Sequence, residues 1–248
     1  FEYEGIVYQL DKNNGNNNLH SGYDFWSFRI WDVKETTENS ITFSLHSPDG
    51  DQGYPGTVDV TVKYTLTEDN QIVIDYFATT DKDTPMNMTN HSYFNLAGHE
   101  SGNIREQIMW IDADAFTRTN EELIPTGEIV SVEGTPMDFR VKKKIGLEID
   151  NDYEALKLGN GYDHNWTLNN QGAFEKVAEL SSDETGICME VYTDLPGVQI
   201  YTANFVENEK GKAGVVYQKN QGVCFETQYY PDSVNHENFQ SCICKKGE

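Results

Sequence analysis

"TVDVTVKYTL", residues 57–66, alternates without a break. Val58, Val60, Val62, Tyr64 and Leu66 fall on one parity, and Asp59, Thr61, Lys63 and Thr65 on the other. Side chains of a strand point alternately to its two faces, so this pattern makes a strand with one apolar face and excludes an amphipathic helix. After the polar turn Thr67-Glu68-Asp69-Asn70, Ile72, Ile74, Tyr76 and Ala78 repeat the pattern, which predicts a β-hairpin. "QIMWIDADAF", "ICMEVYTD", "GVQIYTANF" and "GVCFETQYY" read as further strands, separated by turn residues such as Leu195-Pro196-Gly197 and Lys219-Asn220-Gln221-Gly222. A helical period is not sustained anywhere, and the one short helix expected lies between Lys142 and Tyr153. A chain of 248 residues built this way is expected to be all-β, a large antiparallel β-sandwich. With no linker and no fixed-period repeat, residues 1–248 are expected to form a single domain.

The formal net charge of −23 repels phosphate backbones and anionic lipid, so no nucleic-acid partner and no membrane partner is expected. Lys142-Lys143-Lys144 reads as a solvated turn, not a phosphate pocket. Cys188, Cys224, Cys242 and Cys244 lack zinc-finger spacing, and Cys242-Ile243-Cys244 is too close for an ordinary disulfide. Free thiols in a reducing, cytoplasmic setting are the expectation.

Five stretches set polar or ionisable residues among aromatics and glycines: "NLHSG" with His20, "TNHSYFNLAG" with His91, "NGYDHNW" with Asp163 and His164, "PGVQIYTANF" with Gln199, and "CFETQYYPDS" with Glu226. Burying such groups costs several kcal/mol unless they are bonded or used, and five repetitions suggest the lining of a cleft. Glu226 and Gln228 share a parity with Cys224 and Tyr230, opposite to Val223, Phe225 and Thr227. The carboxyl is thus mounted on a rigid strand, as a catalytic group requires. His46 and His236 read as structural histidines. A zinc site from His20, His91 and His164 has no short ligand spacing to support it, so no metal is expected.

"NMTNHSYFNLAG" resembles the signature of the aldose 1-epimerase (galactose mutarotase) family, and "SPDGDQGYPGTVDVTVKYTL", "LIPTGEIVSVEGTPMDFR", "GYDHNW", "PGVQIYTANF" and "CFETQYYPDSVNHENF" resemble its other segments in order. The resemblance implies a galactose mutarotase-like supersandwich and an isomerase that interconverts the α and β anomers of an aldohexose such as galactose or glucose. It implies that Glu226 is the general base and His91 the general acid, with His20, Asp163 and Gln199 binding sugar hydroxyls. It implies no cofactor, a monosaccharide as the partner, and a monomer or weak dimer. Relative to the family the chain is expected to be truncated at both ends, lacking upstream strands, with an Arg that contacts the sugar, and the last strand. Ser21 stands where the family has a glycine after His20. The other readings are a hexose-6-phosphate 1-epimerase, which needs basic phosphate ligands, and a non-catalytic sugar-binding or regulatory β-sandwich. Anomer exchange needs an acid at the ring oxygen and a base at the C1 hydroxyl. The imidazole at 91 and the carboxylate at 226 are therefore expected to face each other across the width of a pyranose. Tyr93, Phe94 or Trp166 would cover an apolar face of the sugar.

Overall fold

The computed structural model describes residues 1–247. These group into two compact units, one of Phe1–Met88 with the chain from Ser241 onward, the other of Thr89–Gln240.

The first unit holds a four-stranded antiparallel sheet of Asp32–Thr36, Ser40–Ser47, Val58–Leu66 and Ile72–Thr80, each strand paired with the next in sequence. The predicted hairpin has the register its parity demands: Val60 lies opposite Ala78, Val62 opposite Tyr76 and Tyr64 opposite Ile74. Its turn closes with the Thr67 N–H donating to the Gln71 carbonyl, and Asn70 takes the left-handed conformation at φ +60°. Val58, Val60 and Val62 are buried. Arg29 forks onto Asp51 through both terminal nitrogens, at 2.5 and 2.9 Å, and holds that carboxyl below its ordinary value. His46 is bonded to Asp59 across the sheet at 2.7 Å, a structural role as expected.

The second unit is built around two antiparallel sheets, of five and four strands. The larger runs Pro125–Ser131, Ala113–Thr119, Asp163–Leu168, Gly197–Tyr201 and Cys224–Gln228 in spatial order, and the smaller runs Lys143–Lys144, Ile108–Ile111, Glu175–Ser181 and Cys188–Thr193. They share one apolar core: Phe116, Trp166, Val198, Ile200 and Phe225 come from the first, and Met109, Ile111, Ala178 and Leu180 from the second. A sheet pair closed over a common core is the expected antiparallel sandwich. The run "QIMWIDADAF", read as one strand, is two. Ile108–Ile111 belongs to the smaller sheet and Ala113–Thr119 to the larger. Asp112 between them donates its N–H to Val177 and accepts from Asn169, so the chain changes sheets there.

The short helix also differs from expectation. Residues 143–147 form a two-residue strand and a 3-10 turn, and the helix is Glu154–Gly159, just beyond the predicted span. Glu154 lies in its first turn, where a carboxylate complements the backbone N–H groups, and Asn160 at φ +53° ends it. The three lysines at 142–144 are paired with Glu179, Glu148 and Glu106. Among the described residues no helix is long and apolar enough to cross a membrane.

Candidate functional site

Strand pairing sets the site in the second unit. Asp163, Tyr201 and Cys224 are register partners in one row across three adjacent strands, and Asn165, Gln199 and Glu226 in the row two residues on. Both rows share a parity and so a face. The intervening residues, His164, Trp166, Val198, Ile200 and Phe225, turn to the other face and the core. One alternation therefore builds the apolar core and a polar floor from the same strands.

On that floor the Gln199 side-chain N–H donates to Asp163 Oδ1 at 2.8 Å. Asn165 Oδ1 is 3.4 Å from Gln228 Nε2. Asn165 Nδ2 and Gln199 Oε1 are buried without a protein partner.

His91 reaches the floor from a loop. Phe94 and Val223 exchange backbone hydrogen bonds, each at 2.9 Å, which pins the loop to the residue before Cys224. Asn95 fixes the turn beyond: its amide donates to the Gly102 and Gln221 carbonyls and its oxygen accepts from Gln107. His91 Nε2 stands 3.5 Å from Glu226 Oε1, and Nδ1 stands 3.4 Å from Cys224 Sγ. Tyr93 stacks on the imidazole at 5.2 Å, and Tyr201 meets it edge-on at 6.1 Å. The pyranose-wide separation is not what the fold gives. The loop is tied so close to the Cys224–Gln228 strand that the two groups touch.

Burial governs the electrostatics. Glu226 is 4% exposed, and burial together with the negative charge of Asp163 pushes its carboxyl up to about 8. Burial raises Asp163 to about 6, with the Gln199 hydrogen bond pulling the other way. Burial lowers His91 below the ordinary imidazole value. Both members of the 3.5 Å pair are thus driven toward their neutral forms.

The remaining expectations divide. His164 is fully buried on the core face, its Nδ1 accepting the Asp163 N–H at 3.0 Å, and burial lowers it to about 4. It stays neutral, orients its neighbour, and cannot join His91 around a metal. Trp166 is buried and donates to the Met137 carbonyl, and Phe94 packs on the core. Of the three aromatics, Tyr93 is the one beside His91. His20 belongs to the first unit, on an exposed turn at φ +50° near the Phe25 ring. Reasoning from sequence left out Asn165 and Tyr201 as site residues. The signal was available, since each lies two residues beyond an assigned one on the same strand.

The chain matches the aldose 1-epimerase family over residues 1–248, and it belongs to that family. It is 43% identical to galactose mutarotase of Bos taurus over 251 residues, covering 100% of this chain and 71% of the relative. It is 40% identical to aldose 1-epimerase of Haemophilus influenzae over 244 residues, covering 97% and 70%. Among solved structures it is similar to an aldose epimerase homologue from C. elegans, with a TM-score of 0.91 and 29% identity over 100% of this chain and 74% of the other. It is also similar to galactose 1-epimerase from Lactobacillus acidophilus, with a TM-score of 0.85 and 27% identity over 99% and 71%.

Proposed function

We propose that this protein is an aldose 1-epimerase, interconverting the α and β anomers of an aldohexose such as galactose or glucose. Supporting it, beside the relatives named above, is chiefly one observation: an imidazole and a buried carboxyl 3.5 Å apart on a polar sheet face. The two sugar oxygens that exchange protons, O1 and O5, are bonded to the same carbon, C1. An acid and a base in contact can therefore reach both, and a pyranose-wide gap is not required.

The pair holds one proton. As a neutral carboxylic acid and imidazole, or after transfer as carboxylate and imidazolium, it offers one donor and one acceptor. Glu226 as carboxylate takes the O1 proton while His91 as imidazolium protonates O5. The C1–O5 bond breaks, the C1–C2 bond turns, and the ring closes on the other carbonyl face with the roles reversed. Asp163 and Gln199, with Asn165 beside Gln199, provide the acceptors and donors for sugar hydroxyls. Tyr93 offers a ring face to the sugar. No Lys or Arg stands in the two site rows to hold a phosphate, which favours free sugars over hexose phosphates. A module that only bound sugar would need no acid–base pair. The free thiols fit a reducing compartment, and we place the protein in the cytoplasm as a monomer or weak dimer.

Polarimetry of fresh α-galactose tests the reading. The protein should speed the approach to anomeric equilibrium, and His91→Asn should cut kcat by about 10²- to 10⁴-fold with a modest change in sugar affinity. Lost affinity with an unchanged residual rate would make His91 a binder.

The pH profile follows from the shared proton. Above about 8 Glu226 gives it up, and kcat/KM falls. On the acid side Asp163 is neutralised as the pH falls through about 6, and His91, which burial holds below the ordinary imidazole value, gains a second proton, so kcat/KM falls again. A bell with its plateau between these limits is expected in initial-rate measurements. A rate still rising past pH 9 would contradict the one-proton pair.

A further inference from the structure

Cys224 stands on the site face, and the reaction gives its thiol no task. It shares its strand and parity with Glu226, two residues away, and its sulfur is 3.4 Å from His91 Nδ1. One ligand atom from each of His91, Cys224 and Glu226 can be chosen so that all three lie within 4.8 Å of one another. The geometry points to a binding site for a borderline divalent cation, Zn2+, held by these three side chains and exclusive of the sugar.

The donor set decides the metal. Thiolate, imidazole and carboxylate are the ligands zinc accepts, at about 2.0–2.3 Å, and three protein ligands with one open position complete a tetrahedron. Tetrahedral donors at those lengths stand roughly 3.5 Å apart, so groups within 4.8 Å of one another need to draw in by about 1.3 Å at most. His91 can supply that movement, because its side chain is 35% exposed and it rides on a loop, whereas Cys224 and Glu226 are fixed on a strand. Magnesium and calcium prefer all-oxygen sites and would be poor occupants. Binding releases the thiol proton, and the Glu226 proton where one is present. A zinc ion there uses the lone pairs that the acid–base pair needs, so occupation stops the reaction. Binding does not depend on the isomerase reading, but the competition with sugar does.

Cobalt provides a readout independent of activity. The full-length protein, cleared of metal with chelator, should develop a thiolate-to-cobalt charge-transfer band on titration with Co2+, and Zn2+ should displace it. Cys224→Ala should lose the band, Cys188→Ser should keep it, and Glu226→Gln should bind Zn2+ at least tenfold more weakly by calorimetry. In polarimetry Zn2+ should inhibit the wild type competitively with galactose, reversibly on adding chelator. The zinc concentration for half inhibition should rise at least tenfold in Cys224→Ala, each protein compared with its own zinc-free rate. Circular dichroism checks that both variants are folded; should Cys224→Ala fail to fold, Glu226→Gln carries the test. No band in the wild type, or a band unchanged in Cys224→Ala, overturns the site. A band without any mutarotation would leave the metal site standing and remove the isomerase reading instead.

Discussion

Glu226→Gln yields a folded protein that is more stable than its parent at neutral pH and slower in mutarotation by about 10³- to 10⁴-fold. The rate falls because an amide can neither take the O1 proton nor share one with His91. The stability rises because the native site strains against ionisation. The carboxyl is 4% exposed and sits near about 8 in the folded chain, against an ordinary 4.5. Below pH 4.5 it is protonated whether folded or not and costs nothing. Between 4.5 and 8 the unfolded chain ionises and the folded one resists, so folding loses about 1.4 kcal/mol per pH unit, reaching about 3 kcal/mol at pH 7. Glutamine cannot ionise and escapes that loss. Thermal melts at pH 7 and pH 4.5 should show the gain at the first and its disappearance at the second. A near-normal rate would sink the assignment of Glu226 as base. A variant melting lower at pH 7 would sink the account of its burial.

That trade-off explains why the site was partly legible in the sequence. A stable strand has no reason to aim a carboxyl at a poorly solvated position, so Glu226, out of step with Val223, Phe225 and Thr227, stood out as a group kept for use. Asp163 and Gln199 were found separately, and the register then joined them with a hydrogen bond. The hairpin from Val58 to Thr80 was legible down to its cross-strand partners, because period-two alternation and a short turn leave a single register. Other features depend on tertiary contacts that local pattern does not carry. The sheet change at Asp112 rests on Val177 and Asn169, far along the chain. The contact of His91 with Glu226 rests on the Phe94–Val223 pairing, which unites residues more than a hundred apart. His164 looked like a site residue because it adjoins Asp163, yet adjacency on a strand means opposite faces.

Asn204→Leu should cost about 3–5 kcal/mol, a large part of the stability of an ordinary domain. The side chain is 3% exposed and joins three segments. Its amide donates to the Gly159 and Tyr162 carbonyls, both at 2.8 Å, and its oxygen accepts from the Thr202 hydroxyl at 2.7 Å and from Asn220 at 3.3 Å. It thus ties the end of the Glu154–Gly159 helix and the approach to Asp163 to the turn that follows Tyr201. Gly161 is shaped around it, at φ +133° with room for a Cβ only 2.4 Å from the Asn204 oxygen. Leucine has about the same size but no polar atom, so the Gly159 carbonyl loses its partner inside the fold and Asn220 loses one of its own. Thr202 and the Tyr162 carbonyl still bond each other, which keeps the loss below the sum of the four broken contacts. Urea denaturation of the variant should give a lower midpoint with an unchanged slope. Because the same hub holds the segments bearing Asp163 and Tyr201, the folded variant should show a raised KM for galactose with less change in kcat. A loss below about 1 kcal/mol would mean that buried polar groups here find other partners, and that Asn204 does not hold the floor of the site in place.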